Sequence, residues 1–176
     1  MAIFSIAFTV RFYHLSSLPP GLGRDEVSVA YNAYSILKTG RDEHGRFLPL
    51  YFEAIGDQKL PVIIYISVPS VALFGLTEIG ARFPFAVLGS FTVVFLYLLL
   101  KKAQSLNKLI IPKSVVYLAP LLLAVNPWHL AHSRAVYEII LGTFFLLRPL
   151  TFFTGLRSSE MVFCFNGFFY SRLLHV

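Results

Sequence analysis

Two adjacent acids, Asp25 and Glu26, are the residues in this sequence whose type and position best suit catalysis. They follow a turn-rich segment, SSLPPGLGR, and open a stretch with the apolar periodicity of a helix. Carboxylates in the first turn of a helix also favour the helix dipole, so the pair can be explained as a capping feature. An ionised carboxylate at such a point can alternatively take a proton from a hydroxyl group as a general base. Spacing alone leaves both interpretations open.

Three further positions carry polar groups beside apolar runs. Lys59, in DQKLP, suits a phosphate as a point charge, or it extends towards lipid headgroups. Arg134, Tyr137 and Glu138 open an apolar run, where an acid is costly and rarely accidental. The alternative there is an i,i+4 ion pair between Arg134 and Glu138. Arg82 suits either a phosphate or an interfacial anchor.

Metal-binding patterns are weak. His129 and His132 have i,i+3 spacing, but no third ligand accompanies them. The single cysteine, Cys164, excludes a disulfide framework and a cysteine-based zinc site. The sequence therefore predicts no specific metal site and leaves a divalent cation open as a cofactor.

The composition indicates a membrane protein. The chain is 56% hydrophobic and only 14% charged, against about 45–50% and about 25% in soluble domains. The formal net charge of +6 comes from basic residues scattered between apolar runs. Without a basic stripe interleaved with aromatic residues, a nucleic-acid partner is excluded.

Four apolar runs predict an all-α, polytopic transmembrane protein with interfacial helices in its first external loop. Lysines cluster after the second run, at Lys101, Lys102, Lys108 and Lys113, which predicts a cytoplasmic loop there. The segment 16–78 is then external. The predicted crossings are about 1–15, 79–100, 114–130 and 135–147. The remaining segment, 148–176, is atypical and suggests truncation or a shifted reading frame.

The external loop is predicted to contain two helices. Residues 25–38 read as an amphipathic helix in the membrane interface that ends at Gly40. Residues 60–74 read as a short interfacial or re-entrant helix opened by Pro61. The predicted apolar face of the first helix consists of Val27, Ala30, Tyr31, Tyr34 and Leu37.

The order of motifs over residues 1–147 resembles that of the GT-C glycosyltransferases. The motifs are P-P-G-L-x-x-D-E, A-Y-x-A, T-G-x-D-x-x-G, K-x-P, F-G-x-x-x-x-x-x-R and N-P-x-H-x-x-x-S-R. The resemblance is to the bacterial branch similar to protein O-mannosyltransferases and lipid A aminoarabinose transferases. Where relatives often have an acid before the lysine of K-x-P, this chain has Gln58.

The resemblance implies roles for individual residues. Asp25 would act as catalytic base or orient the acceptor. Glu26 would support Asp25 in the catalytic site or form an ion pair with Arg24. Lys59 would meet the donor phosphate, and Glu138 would be a second acid near the active site. The remaining substrate-binding residues would be Arg134, Tyr137 and Arg82.

The implied function is transfer of a sugar from a polyprenyl-phosphate donor to an acceptor at the external face of a bacterial plasma membrane. The partners would be that donor and membrane lipids. One alternative is an inactive fragment, because members of the family usually have many more crossings. A small membrane transporter is a further alternative, although no internal repeat of the kind found in transporters is visible.

Overall fold

The computed structural model describes residues 2–54, 57–105 and 111–153. Lys108, Cys164 and residues 154–176 of the atypical segment 148–176 lie outside these ranges. The described chain is mostly helical, with one two-stranded hairpin. Its elements are α1 (Ala2–Phe12), α2 (Arg24–Thr39), β1 (Phe52–Ala54), β2 (Asp57–Lys59), α3 (Pro61–Phe74), α4 (Glu78–Ser105), α5 (Lys113–Val125), α6 (Pro127–Ser133) and α7 (Glu138–Phe153).

The prediction of a polytopic membrane protein is wrong. Among the described residues, only α4 is a single helix long and apolar enough to cross a membrane. The helices α5 and α6 together reach that length only if a pair bent by 56° is counted as one span. The predicted first crossing is reduced to the 11 residues of α1, whereas a crossing needs about 20. The predicted fourth crossing begins at Glu138 rather than Ala135, and its helix has 16 residues.

Helix α4 is the centre of the fold, with α1, α3, α5 and α7 packed around it. Small residues at its buried positions allow this close packing, because they let neighbouring backbones approach. At Gly89 an added Cβ would lie 2.4 Å from the Cβ of Ser133 on α6. The buried positions include Gly80, Ala81, Phe85, Ala86, Gly89 and Val93.

Helix α2 forms where it was predicted, but its buried face overlaps the predicted apolar face only in part, with Ala30 common to both. It ends at Gly40, whose φ of 68° places it in the left-handed region. The predicted face is largely exposed, including Val27 and Tyr31. The buried face packs on α3 and consists of Val29, Ala30, Ala33 and Ile36. The buried face contains two alanines, whose small side chains let α2 and α3 approach closely. The bulkier residues of the predicted face would hold the two helices further apart.

The hairpin β1–β2 was not predicted. Its strands pair antiparallel, with Phe52 opposite Lys59. Phe52 is buried and meets the ring of Tyr65 edge-on at 5.8 Å. This anchor fixes the hairpin on α3 and sets Lys59 two residues before Pro61, the first residue of that helix.

The third apolar run is broken at Asn126. The helix α5 passes through Pro120, where a kink was predicted, and ends before Asn126. The Asn126 side chain accepts a hydrogen bond from the backbone N–H of His129 at 3.0 Å, and Pro127 occupies the first position of α6. A new helix cap therefore forms inside an apolar run.

The buried side chain of Arg11 joins α1 to this break. Its guanidinium donates to the carbonyl of Ala124 at 3.2 Å and lies 2.7 Å from Nδ1 of His129. Both side chains are buried. The guanidinium thus satisfies one of the carbonyls left open at the end of α5.

Candidate functional site

Asp25 and Lys59 form an ion pair at the junction of α2 and the hairpin. The Lys59 Nζ lies 3.0 Å from Oδ1 of Asp25. The lysine side chain is 10% exposed and the aspartate side chain 55% exposed. The ammonium is therefore held within the fold, while the carboxylate stays open to an approaching molecule.

The pair lies in a cleft of about 360 Å³ between α2, the hairpin and the start of α7, here called the Asp25 cleft. Glu138 lines it and accepts a hydrogen bond from the backbone N–H of Leu60 at 3.2 Å. Acids from two distant parts of the sequence thus line one cleft together with Lys59. The other polar or aromatic lining residues are Gln58, His132 and Tyr137.

Glu26 has a different environment from its neighbour Asp25. Its buried carboxylate pairs in bidentate fashion with Arg82 of α4, at 3.0 Å and 2.9 Å. It also accepts from the backbone N–H of Gly23 at 2.9 Å, which caps α2. The suggested pairing of Glu26 with Arg24 is wrong, because its partner is Arg82.

Arg82 and Arg134 hold the chain that connects α1 to α2. Arg82 donates to the carbonyls of Leu15, at 3.2 Å, and Pro19, at 2.9 Å, and also to Gly21. Burial, followed by the positive charge of Arg82, lowers the pKa of Arg134 below its usual range. Arg134 donates to the carbonyls of Val10 at 2.8 Å, His14 at 3.3 Å and Leu18 at 3.1 Å.

These contacts also exclude the suggested ion pair of Arg134 with Glu138. Arg134 caps the end of α6, and a short turn separates it from Glu138 at the start of α7. The two residues are therefore not one turn apart on a single helix, and their side chains contact different backbone groups.

His132 is a cleft residue whose role the sequence did not suggest beyond a weak metal pattern. Its Nδ1 lies 2.7 Å from the carbonyl oxygen of Trp128. Because a carbonyl can only accept, Nδ1 carries a proton, and in the neutral imidazole Nε2 is an acceptor. The imidazole ring packs against Trp128 at 4.2 Å and Tyr137 at 4.8 Å between centroids. The contact of His132 with Trp128 could have been predicted from their i,i+4 spacing in the sequence.

One known protein is similar to most of this chain. It is an uncharacterized protein of Aquifex aeolicus (strain VF5), 31% identical over 144 residues. The alignment covers 79% of this chain and 26% of that protein. The chain thus spans about a quarter of that relative's length. No family model matches the chain. No solved structure matches it either.

A second cleft of about 350 Å³ adjoins the first. Asp25 and Tyr137 line both clefts, and Arg24 and the loop 19–23 complete the second one. Asp25 can therefore face two bound molecules. Among the described residues, no group of three or more His, Cys, Asp or Glu side chains could hold a metal ion.

Proposed function

We propose that this chain carries the catalytic site of a glycosyltransferase that moves a sugar from a polyprenyl phosphate to a hydroxyl acceptor. The observation that supports it most is the 3.0 Å pair of Asp25 and Lys59 in a cleft that also contains Glu138. A cation for the donor phosphate and a carboxylate for the acceptor proton are the two groups that such a transfer requires.

In the proposed reaction, the donor phosphate binds the ammonium of Lys59, which then shares its charge between phosphate and Asp25. The acceptor hydroxyl oxygen attacks the anomeric carbon of the sugar. The bond between that carbon and the phosphate oxygen breaks, and the carrier phosphate leaves with the electron pair. Asp25 takes the hydroxyl proton. Arg82 and Arg134 support the loop beside the site, while a direct contact of either with substrate stays a prediction.

The long apolar helix α4 relates this site to a membrane. The helix α4 is long and apolar enough to cross one, and Arg82 near its start pairs with Glu26, the neighbour of Asp25. We propose that the Asp25 cleft lies at the external surface, since Lys101 and Lys102 at the other end of α4 favour the cytoplasm. A lipid-linked donor would reach the cleft from the bilayer.

The alternative of an inactive fragment is favoured by one observation. The chain corresponds to 26% of the length of the Aquifex protein, so groups needed for turnover can belong to the rest of such a protein. An active enzyme and an inactive fragment would differ in sugar transfer. A complete site binds donor and transfers the sugar, whereas an inactive fragment binds donor without transfer.

The test is binding of farnesyl phosphate, a short polyprenyl phosphate, to the chain in lipid nanodiscs. Loss of a charge-assisted contact predicts that Lys59→Ala weakens binding about tenfold or more. The matched control is Lys38→Ala, because Lys38 lies 5.7 Å from the ring of Tyr34 on the exposed side of α2. Equal affinity of the Lys59→Ala variant and the unchanged chain would contradict the proposal.

A further inference from the structure

Part of the lining of the Asp25 cleft is an aromatic wall. It consists of Tyr137 and His132, with Trp128 packed behind the imidazole ring. Tyr137 is 47% exposed although its ring contacts His132. A substantial part of the tyrosine ring therefore stays open to a molecule in the cleft.

Hydrogen-bond acceptors lie next to this wall. In the neutral form of the His132 imidazole Nε2 is an acceptor, because Nδ1 donates to the Trp128 carbonyl. Glu138 adds a carboxylate, of which Oε1 meets the backbone N–H of Leu60. The aromatic wall thus combines the faces of aromatic rings with hydrogen-bond acceptors beside them.

That combination matches the chemistry of a sugar ring. The face of a pyranose presents C–H groups, which suit the negative face of an aromatic ring. Its rim presents hydroxyl donors, which suit an imidazole nitrogen and a carboxylate. A cleft with apolar surface and a few convergent polar groups is the usual form of a small-molecule site.

We propose that Tyr137 and His132 form the subsite for the sugar ring of the donor, with the sugar's phosphate at Lys59. The inference rests on the proposed function and adds the placement of the sugar. Tyr137 supplies the stacking surface, and His132 and Glu138 accept from the ring hydroxyls. Trp128 fixes the orientation of the imidazole through its carbonyl and its ring.

The experiment compares two phosphodiester probes of equal charge, farnesyl methyl phosphate and farnesyl phosphoryl mannose, with the chain in lipid nanodiscs. The sugar-bearing probe should bind more tightly to the unchanged chain. Tyr137→Leu should weaken binding of that probe about threefold to tenfold and leave binding of farnesyl methyl phosphate unchanged, as expected for loss of one aromatic contact. Tyr137→Phe keeps the ring and should restore the preference.

A matched control is Tyr117→Leu, since Tyr117 is an exposed tyrosine on α5 outside this cleft. It should leave both affinities unchanged. His132→Phe keeps a ring but removes the acceptor nitrogen, so it should weaken only the sugar-bearing probe.

The outcomes separate the two proposals. Equal affinity of both probes for the unchanged chain, or equal loss of both in Tyr137→Leu, would overturn the sugar subsite. In that case, binding of farnesyl phosphate that still depends on Lys59 would leave the proposed function standing. Binding of neither probe to the unchanged chain would overturn the proposed function and the subsite together.

Discussion

Asp25 and Glu26 are adjacent in the sequence, yet their carboxylates face different surroundings. Successive residues of a helix point about 100° apart, so Asp25 reaches the cleft while Glu26 turns towards α4. Asp25 meets Lys59 at 3.0 Å with half of its side chain open. Glu26 is buried against Arg82. The pair therefore divides into a residue available for chemistry and a residue that holds the fold.

The first prediction concerns the proposed base. Asp25→Asn keeps the size of the side chain but removes its ability to take a proton, so sugar transfer should fall by about 10²–10⁴. The measurement is transfer from a polyprenyl-phosphate sugar in lipid. The variant should remain folded, because the side chain is half exposed and an amide is tolerated at a helix start. Near-normal transfer would remove Asp25 from this role.

The second prediction concerns Glu26, whose substitution should act through stability. Glu26→Gln leaves the Arg82 cation buried without its partner charge, which typically costs about 3–5 kcal/mol. The control is Glu53→Gln, which breaks the exposed pair of Glu53 with Arg46 and should change stability little. Unfolding followed by circular dichroism in detergent measures both. Equal stability of the two variants would contradict a structural role for the Glu26 pair.

At the scale of elements, the positions of α2 and α3 were predictable from the sequence, but the packed face of α2 was not. Periodicity and end signals such as Gly40 and Pro61 located α2 and α3. Helix α2 has two apolar stripes that could be buried. Which of them is buried depends on packing against α3, and the sequence of α2 alone does not show that packing. The hairpin that ends at Lys59 was missed because each strand has only three residues, which is too short to show an alternating pattern.

The third prediction tests the packing of α4 on α6. In Gly89→Ala the new Cβ would lie 2.4 Å from the Ser133 Cβ and 3.2 Å from Nε of Arg11. Overpacking of this kind should cost about 1–3 kcal/mol. Gly142→Ala on α7 is the matched control, since its Cβ meets nothing within 4 Å. It should stabilise by up to about 1 kcal/mol through helix propensity. Thermal unfolding in detergent separates the two, and an equally stable Gly89→Ala variant would argue against this contact.

At the scale of the whole molecule, counting apolar runs overestimated the number of crossings. A run of apolar residues indicates that a segment can be buried. It does not show where a helix within that segment ends. Asn126 followed by Pro127 ends one helix and caps another within such a run. The site was partly predictable because Asp25, Lys59 and Glu138 do line one cleft. The aromatic wall was not predictable from the sequence, because it depends on how α6 and α7 pack against each other.

The last prediction tests how α4 lies in a membrane. Its 28 residues extend about 42 Å at 1.5 Å per residue, more than the ~30 Å hydrocarbon core. In a Cys164→Ser background, an impermeant maleimide added outside intact cells should label His44→Cys and spare Lys101→Cys, because the basic end of α4 favours the cytoplasm. Permeabilised cells are the control, in which both variants should react. Labelling of both in intact cells would show that α4 does not separate them across a bilayer. A reversed pattern would place the Asp25 cleft in the cytoplasm, away from an external acceptor.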